Sequence, residues 1–194
     1  NIEVVQEKDS NFSTHTFSFG GKLVRNEVNP VLDGENIFSG LYGLNILNKD
    51  QHIDNTTVID HAKPHCESDE QYRGVYADKS EGVFSGTIIV RQDAQKTNAI
   101  QSNQSVLLSD DAESQSKPQL KIWADDVKCT HGATVGQLDE DALFYLRSRG
   151  IAKEQARNIL VNAFAASVLD NIENDVLKTY LETILNNKLT EISL

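Results

Sequence analysis

The stretch from Asp125 to Gly150, DDVKCTHGATVGQLDEDALFYLRSRG, decides the fold because the apolar pattern changes inside it. On its N-terminal side apolar residues alternate as they do in strands. On its C-terminal side Ala142, Leu143 and Leu146 fall on one helical stripe, with Asp139 a good N-cap and Gly150 a natural residue just past the end. The stretch also carries Cys129, one of two cysteines in the chain, two positions from His131. It is the architectural junction, so residues 1–138 are expected to be β and 139–194 helical.

Working back toward the N-terminus, Ser13 to Phe19, Lys22 to Val28, Asn36 to Leu47, Val83 to Val90 and Leu120 to Ala124 read as short strands. Turn signals separate them at Gly20-Gly21, Asn29-Pro30, Asp33-Gly34, Asn48-Lys49-Asp50, Asp110-Asp111 and Lys117-Pro118. Two all-β architectures fit, a sandwich or a coil of stacked rungs. Few tight hairpin signals occur, which favours the coil, although no fixed repeat can be read from the residues.

Working forward, Ala156, Ile159, Leu160, Ala163, Phe164 and Val168 recur at helical spacing, as do Val176, Leu177, Tyr180, Leu181, Ile184 and Leu185. Three short amphipathic helices have little core of their own. Their stripes either pack inward or dock a partner.

Composition narrows the function classes. A net charge of −11 argues against broad nucleic-acid binding, which needs clustered Lys and Arg. No apolar run is long enough to span a membrane, and no secretory signal appears. The chain begins at Asn1 and contains no Met, so it is expected to be part of a longer protein lacking some upstream rungs. Two cysteines 63 positions apart make no disulfide framework, and reduced thiols in a cytoplasm are the simpler assumption.

Several side chains could carry chemistry. On a strand Cys129 and His131 would face one side, where a thiolate and an imidazole could hold iron or zinc, or act as a nucleophile pair. The plainer reading makes Cys129 a small buried hydrophobe and His131 a surface residue. His61, His65 and Cys66 form a second cluster, but Pro64 breaks any helix that would align them. Asp110, Asp111 and Glu113 read as a solvated turn. Asp125 and Asp126 are adjacent and would face opposite ways on a strand, so they cannot flank one glycosidic bond. No P-loop, dinucleotide fingerprint, HExxH or GxSxG occurs, and the chain reads as non-catalytic.

The segment KPQLKIWADDVKCTHGATVGQLDEDALFYLRSRGI, residues 117–151, closely resembles the SufB/SufD family of iron–sulfur cluster assembly proteins. DHAKPHCESDEQYRGVYADKSEGVFSG (60–86), VRQDAQKTNAIQSNQSVLLSDDA (90–112) and NAFA (162–165) resemble the same family. Cys129 and His131 match its SufD pattern. The SufB pattern instead places a cysteine ahead of the apolar run at Val106 and a glutamate directly after the motif histidine, where this chain has Asn103 and Gly132.

The resemblance implies a right-handed parallel β-helix followed by a small helical domain. It implies a scaffold that pairs with a SufB-like paralogue and binds a SufC-like ABC-type ATPase through the helices, with Leu143, Phe144, Leu160 and Phe164 as contact candidates. His131 and Cys129 would then lie at the subunit interface, where they assist iron entry or nascent cluster assembly. The chain alone would hold no stable cofactor. Two competing expectations are a polysaccharide-active β-helix enzyme, on fold class alone, and self-association into a homodimer or larger species through the open rung at the N-terminal end.

Overall fold

The computed structural model describes residues 1–192 and resolves the alternating pattern into a coil. Ten strands follow one another without an intervening helix: β1 (Ile2–Gln6), β2 (Asn11–Ser18), β3 (Leu23–Leu32), β4 (Phe38–Leu47), β5 (His52–His61), β6 (Glu67–Tyr76), β7 (Glu81–Val90), β8 (Asn98–Leu107), β9 (Glu113–Ile122) and β10 (Lys128–Gly136). Odd strands form one five-stranded sheet, β1-β3-β5-β7-β9, and even strands a second, β10-β8-β6-β4-β2. Every pairing is parallel.

Each strand thus pairs with the next but one. Leu23 meets His52, and His52 meets Glu81. The rung is about 30 residues long, ordinary for a solenoid. The chain is a parallel β-solenoid, not a sandwich.

Tight corners allow this path. Asp9, Asn36, His65 and Lys96, ahead of β2, β4, β6 and β8, have φ of 61°, 58°, 59° and 63°. Each left-handed residue costs about 1–2 kcal/mol. Corner-to-corner bonds offset that cost, such as the His65 amide to the Gln95 carbonyl at 2.9 Å and the Lys96 amide to the Asp126 carbonyl at 2.7 Å.

Between the sheets Leu32, Leu41, Ile59, Tyr72, Phe84, Ile88 and Val90 share one apolar core. The interior is also polar, burying Asn55, Thr57, His61, Ser68, Glu70, Gln101 and Asn103. His61 Nε2 lies 2.9 Å from Ser68 Oγ, and Gln101 Nε2 donates to Glu70 Oε2 at 2.6 Å.

The helices are α1 (Glu140–Ser148), α2 (Lys153–Ala166), a 3-10 turn (Ser167–Asn171) and α3 (Asp175–Thr190). Asp139 caps α1, accepting from the amides of Asp141 and Ala142. Residues 193 and 194, the end of the segment expected to be helical, lie outside the described residues.

These helices use the coil to complete their core. Tyr42, Leu44, Ile46 and Val75, on the outer face of the even sheet, cluster with Val161, Ala165, Val168, Leu169, Leu185 and Leu189. Each leucine, isoleucine or valine among them contributes about 1.5–3 kcal/mol when fully buried. The result is that nearly all of β4 is buried, on both of its faces. Arg73 pins the contact: its Nη1 donates to the Phe164 carbonyl at 2.9 Å, and its guanidinium lies 5.0 Å from the Phe164 ring centroid.

Three sequence expectations need correction. Asn29-Pro30 and Lys117-Pro118 are not turns but lie inside β3 and β9. The β3–β5 pairing lapses at Asn29 and Pro30, where proline has no N–H to give. Pro118 sits on β9, the outermost strand of its sheet, where proline is tolerated. The inward stripe of α2 is Ala156, Val161 and Ala165, with Ile159 turned to solvent. On α3 only Leu185 and Leu189 are buried, while Val176 and Tyr180 are 82% and 62% exposed.

The buried polar pair predicts opposing pH dependences. Burial lowers the His61 pKa from 6.5 to about 4 and raises that of Glu70 from 4.5 to about 7. Glu70 therefore stabilises the fold at acid pH, a contribution lost as pH rises from 4.5 to about 7. The His61 contribution is present above 6.5 and lost as pH falls toward 4. Each amounts to up to about 3 kcal/mol. Between pH 4.5 and 6.5, Tm should drop more steeply with acid in Glu70→Gln than in the parent, and His61→Gln should tilt the other way. Curves parallel to the parent would contradict this account of the interior.

Candidate functional site

The site is the last rung. β10 continues the even sheet beyond β8, with Cys129 opposite Ala99 and His131 opposite Gln101. Ala99 and Gln101 are buried on the inner face of the coil, so register places Cys129 and His131 on that face as well. Cys129 and His131 thus share one face of β10.

Among the described residues no strand stacks beyond β10 on the even sheet or beyond β9 on the odd one. The inner face at this end is consequently open. His131 is exposed, while Cys129 is half-buried against the end of the apolar core beside Leu120 and Val127. The rim carries apolar surface, with Trp123 60% exposed and Ile122 and Val135 partly so. At Gly132 and Gly136 a side chain would meet nothing within 4 Å.

Chemically Cys129 and His131 offer two donor groups on one face. Burial favours the neutral thiol and pushes the Cys129 pKa up, an effect that the Ala99 amide, which favours the thiolate, offsets only in part. Structural and catalytic metal sites take at least three protein ligands. The described residues contain no group of three or more His, Cys, Asp or Glu able to hold a metal. Iron in contact with Cys129 and His131 would need further donors from a partner.

The other candidates disperse. His61 points into the coil, His65 forms a corner, and the Cys66 thiol is buried against the Gly34 carbonyl at 3.1 Å. Asp110, Asp111 and Glu113 sit at the corner leading into β9. Asp126 forms an ion pair with Lys96 across a corner, and with Asp125 it belongs to the bend between β9 and β10. Asn103 is buried and donates to Ser116 Oγ at 2.8 Å. On the helices Leu143 is buried, Leu160 and Phe164 are half-buried, and Phe144 is 72% exposed.

Two inner-face residues were not singled out from the sequence. Glu70, Gln101 and His131 occupy one register position on β6, β8 and β10, forming a column that leads from the interior to the open rung. Strict alternation through β6 and β8 would have been the signal, but neither segment has enough apolar residues to reveal it.

The thiol environments predict a labelling order. With iodoacetamide at pH 8, Cys129 should react more slowly than a free thiol, and Cys66 should stay unlabelled until the chain unfolds. Equal rates at Cys66 and Cys129, measured by mass spectrometry, would contradict the inner-face placement.

Comparison with known proteins places the chain in a family. The family model described as SUF system FeS cluster assembly, SufBD core domain, matches residues 1–164. The chain is 36% identical over 187 residues to the iron–sulfur cluster assembly protein SufD of Escherichia coli (strain K12), covering 96% of this chain and 44% of that protein. It is 38% identical over 169 residues to an iron–sulfur cluster assembly SufBD family protein of Synechocystis, covering 87% and 37%. A SufBD family protein of Mycobacterium leprae is 30% identical over 191 residues, covering 94% and 49%. The chain spans less than half the length of each of these relatives. By the family model across most of its length and by its likeness to SufD, the chain belongs to the SufB/SufD family and is SufD-like within it.

Proposed function

We propose that this chain is a non-catalytic scaffold in iron–sulfur cluster assembly, pairing through its last rung with a SufB-like paralogue and through its helices with a SufC-like ABC ATPase. The observation that carries the reading is the open rung that presents Cys129 and His131 on one face beside exposed Trp123. An uncovered sheet end with apolar rim residues is a surface for strand-to-strand or face-to-face pairing. Two donors that fall short of a metal site suit an interface at which the second subunit supplies the rest.

In this reading iron and the nascent cluster are cargo, held between subunits, and the chain alone keeps no cofactor. Two unpaired thiols fit a reducing cytoplasm.

For the ATPase contact, exposed Phe144 at the middle of α1 is the anchor, with Leu143 buried and Phe164 packed against the cluster that joins the helices to the coil, and half-buried Leu160 on α2 as a further contact candidate. Aromatic anchors of this kind dominate interface energetics. In co-purification, the parent chain should retain both a SufB-like and a SufC-like partner. Phe144→Ser should lose the ATPase while still pairing with the SufB-like subunit. A parent chain that retains neither partner would overturn the proposal.

A further inference from the structure

A column of three side chains runs along the inner face toward the open rung. Glu70 on β6 is directly opposite Gln101 on β8, and Gln101 is directly opposite His131 on β10. Adjacent strands lie about 4.8 Å apart, so polar side chains stacked in register can hydrogen-bond along the stacking direction, as Asn and Gln ladders do.

The first link of the column is formed: Gln101 Nε2 donates to Glu70 Oε2 at 2.6 Å. The opposite sheet leaves room for that amide, since a Cβ at Gly86 would come within 2.4 Å of Gln101 Nε2. The second link is unmade. Gln101 is 1% exposed, yet its Oε1 is buried without a hydrogen-bond partner. The next position in the column is His131, whose ring forms no hydrogen bond among the described residues.

A buried carbonyl oxygen with no partner is costly, and an amide whose nitrogen is turned to the preceding rung turns its oxygen toward the following one. The group available there is an imidazole with an N–H to give. Histidines that meet metal usually donate their other ring N–H to such an acceptor, which fixes ring orientation and tautomer.

We propose that Gln101, held by Glu70, is a positioning residue for His131: its Oε1 accepts from one ring N–H and leaves the other ring nitrogen free at the open rung. This rests on the reading of His131 as an iron-facing residue, but it is testable without it. The role belongs to the amide oxygen. Glu70→Gln should preserve it by keeping an acceptor for Gln101 Nε2, whereas Glu70→Leu and Gln101→Leu should abolish it.

The experiment uses the full chain with 15N-labelled histidine at pH 8, where long-range 1H–15N correlations report which ring nitrogen carries the proton. In the parent and in Glu70→Gln, His131 should show one dominant tautomer. In Gln101→Leu and Glu70→Leu it should relax to the mixture of a free imidazole, while His65 at its corner is unchanged and backbone spectra show an intact fold. In the assembled complex, Gln101→Leu should lower cluster yield by roughly tenfold or more with subunit pairing retained.

A His131 tautomer that does not respond to Gln101→Leu in a folded chain overturns the inference. A tautomer that responds in a chain that never pairs with a SufB-like partner leaves the inference standing and overturns the proposed function instead.

Discussion

Parallel register is the constraint on which the molecule depends. Each strand is hydrogen-bonded to the strand about one rung away, so a residue's face is inherited from its partner in the rung before. A slip of one position would turn Leu41, Tyr72 and Ile88 outward and Tyr42 and Val75 inward, exchanging the solenoid core with the helix-covered face. The same inheritance carries Glu70 and Gln101 to the inner face and brings His131 there at the last rung. What the chain offers a partner at its open end is decided several rungs earlier.

The helices belong to the same construction. A small three-helix segment has too little apolar area to be stable alone, and here α2, the 3-10 turn and α3 complete their core on β4 and β6. Arg73 adds a directional tie from β6 to the Phe164 carbonyl. Rungs contact only their neighbours, so in the proposed role any movement of the helices would reach the open rung through the stacked strands.

Much of the architecture was legible in the residues. β2, β3, β4, β7 and the end of β9 carry enough β-branched, aromatic or alternating apolar residues to be read as strands, and Asp139 and Gly150 mark the ends of α1. β5, β6 and β8 were not legible, because their inner positions hold Asn55, His61, Glu70, Gln101 and Asn103 in place of apolar side chains. Pro30 and Pro118 looked like turns for a sound local reason, and tertiary pairing overrode it.

Of the site, the shared face of Cys129 and His131 followed from spacing. Their position at an open end and the column behind His131 did not, since both depend on pairings across about 30 residues of chain. The scattering of His61, His65 and Cys66 has the same origin. Proximity in sequence says little when a corner intervenes.

The central claim is that His131 serves cluster assembly at the interface and not the stability of the fold. The direct measurement is cluster formation in a reconstituted complex of this chain, a SufB-like subunit and a SufC-like ATPase, supplied with iron and a sulfur source, comparing the parent with His131→Ala. The account predicts an intact complex on size-exclusion chromatography with sharply reduced cluster absorbance. Full cluster yield from an intact His131→Ala complex would contradict it.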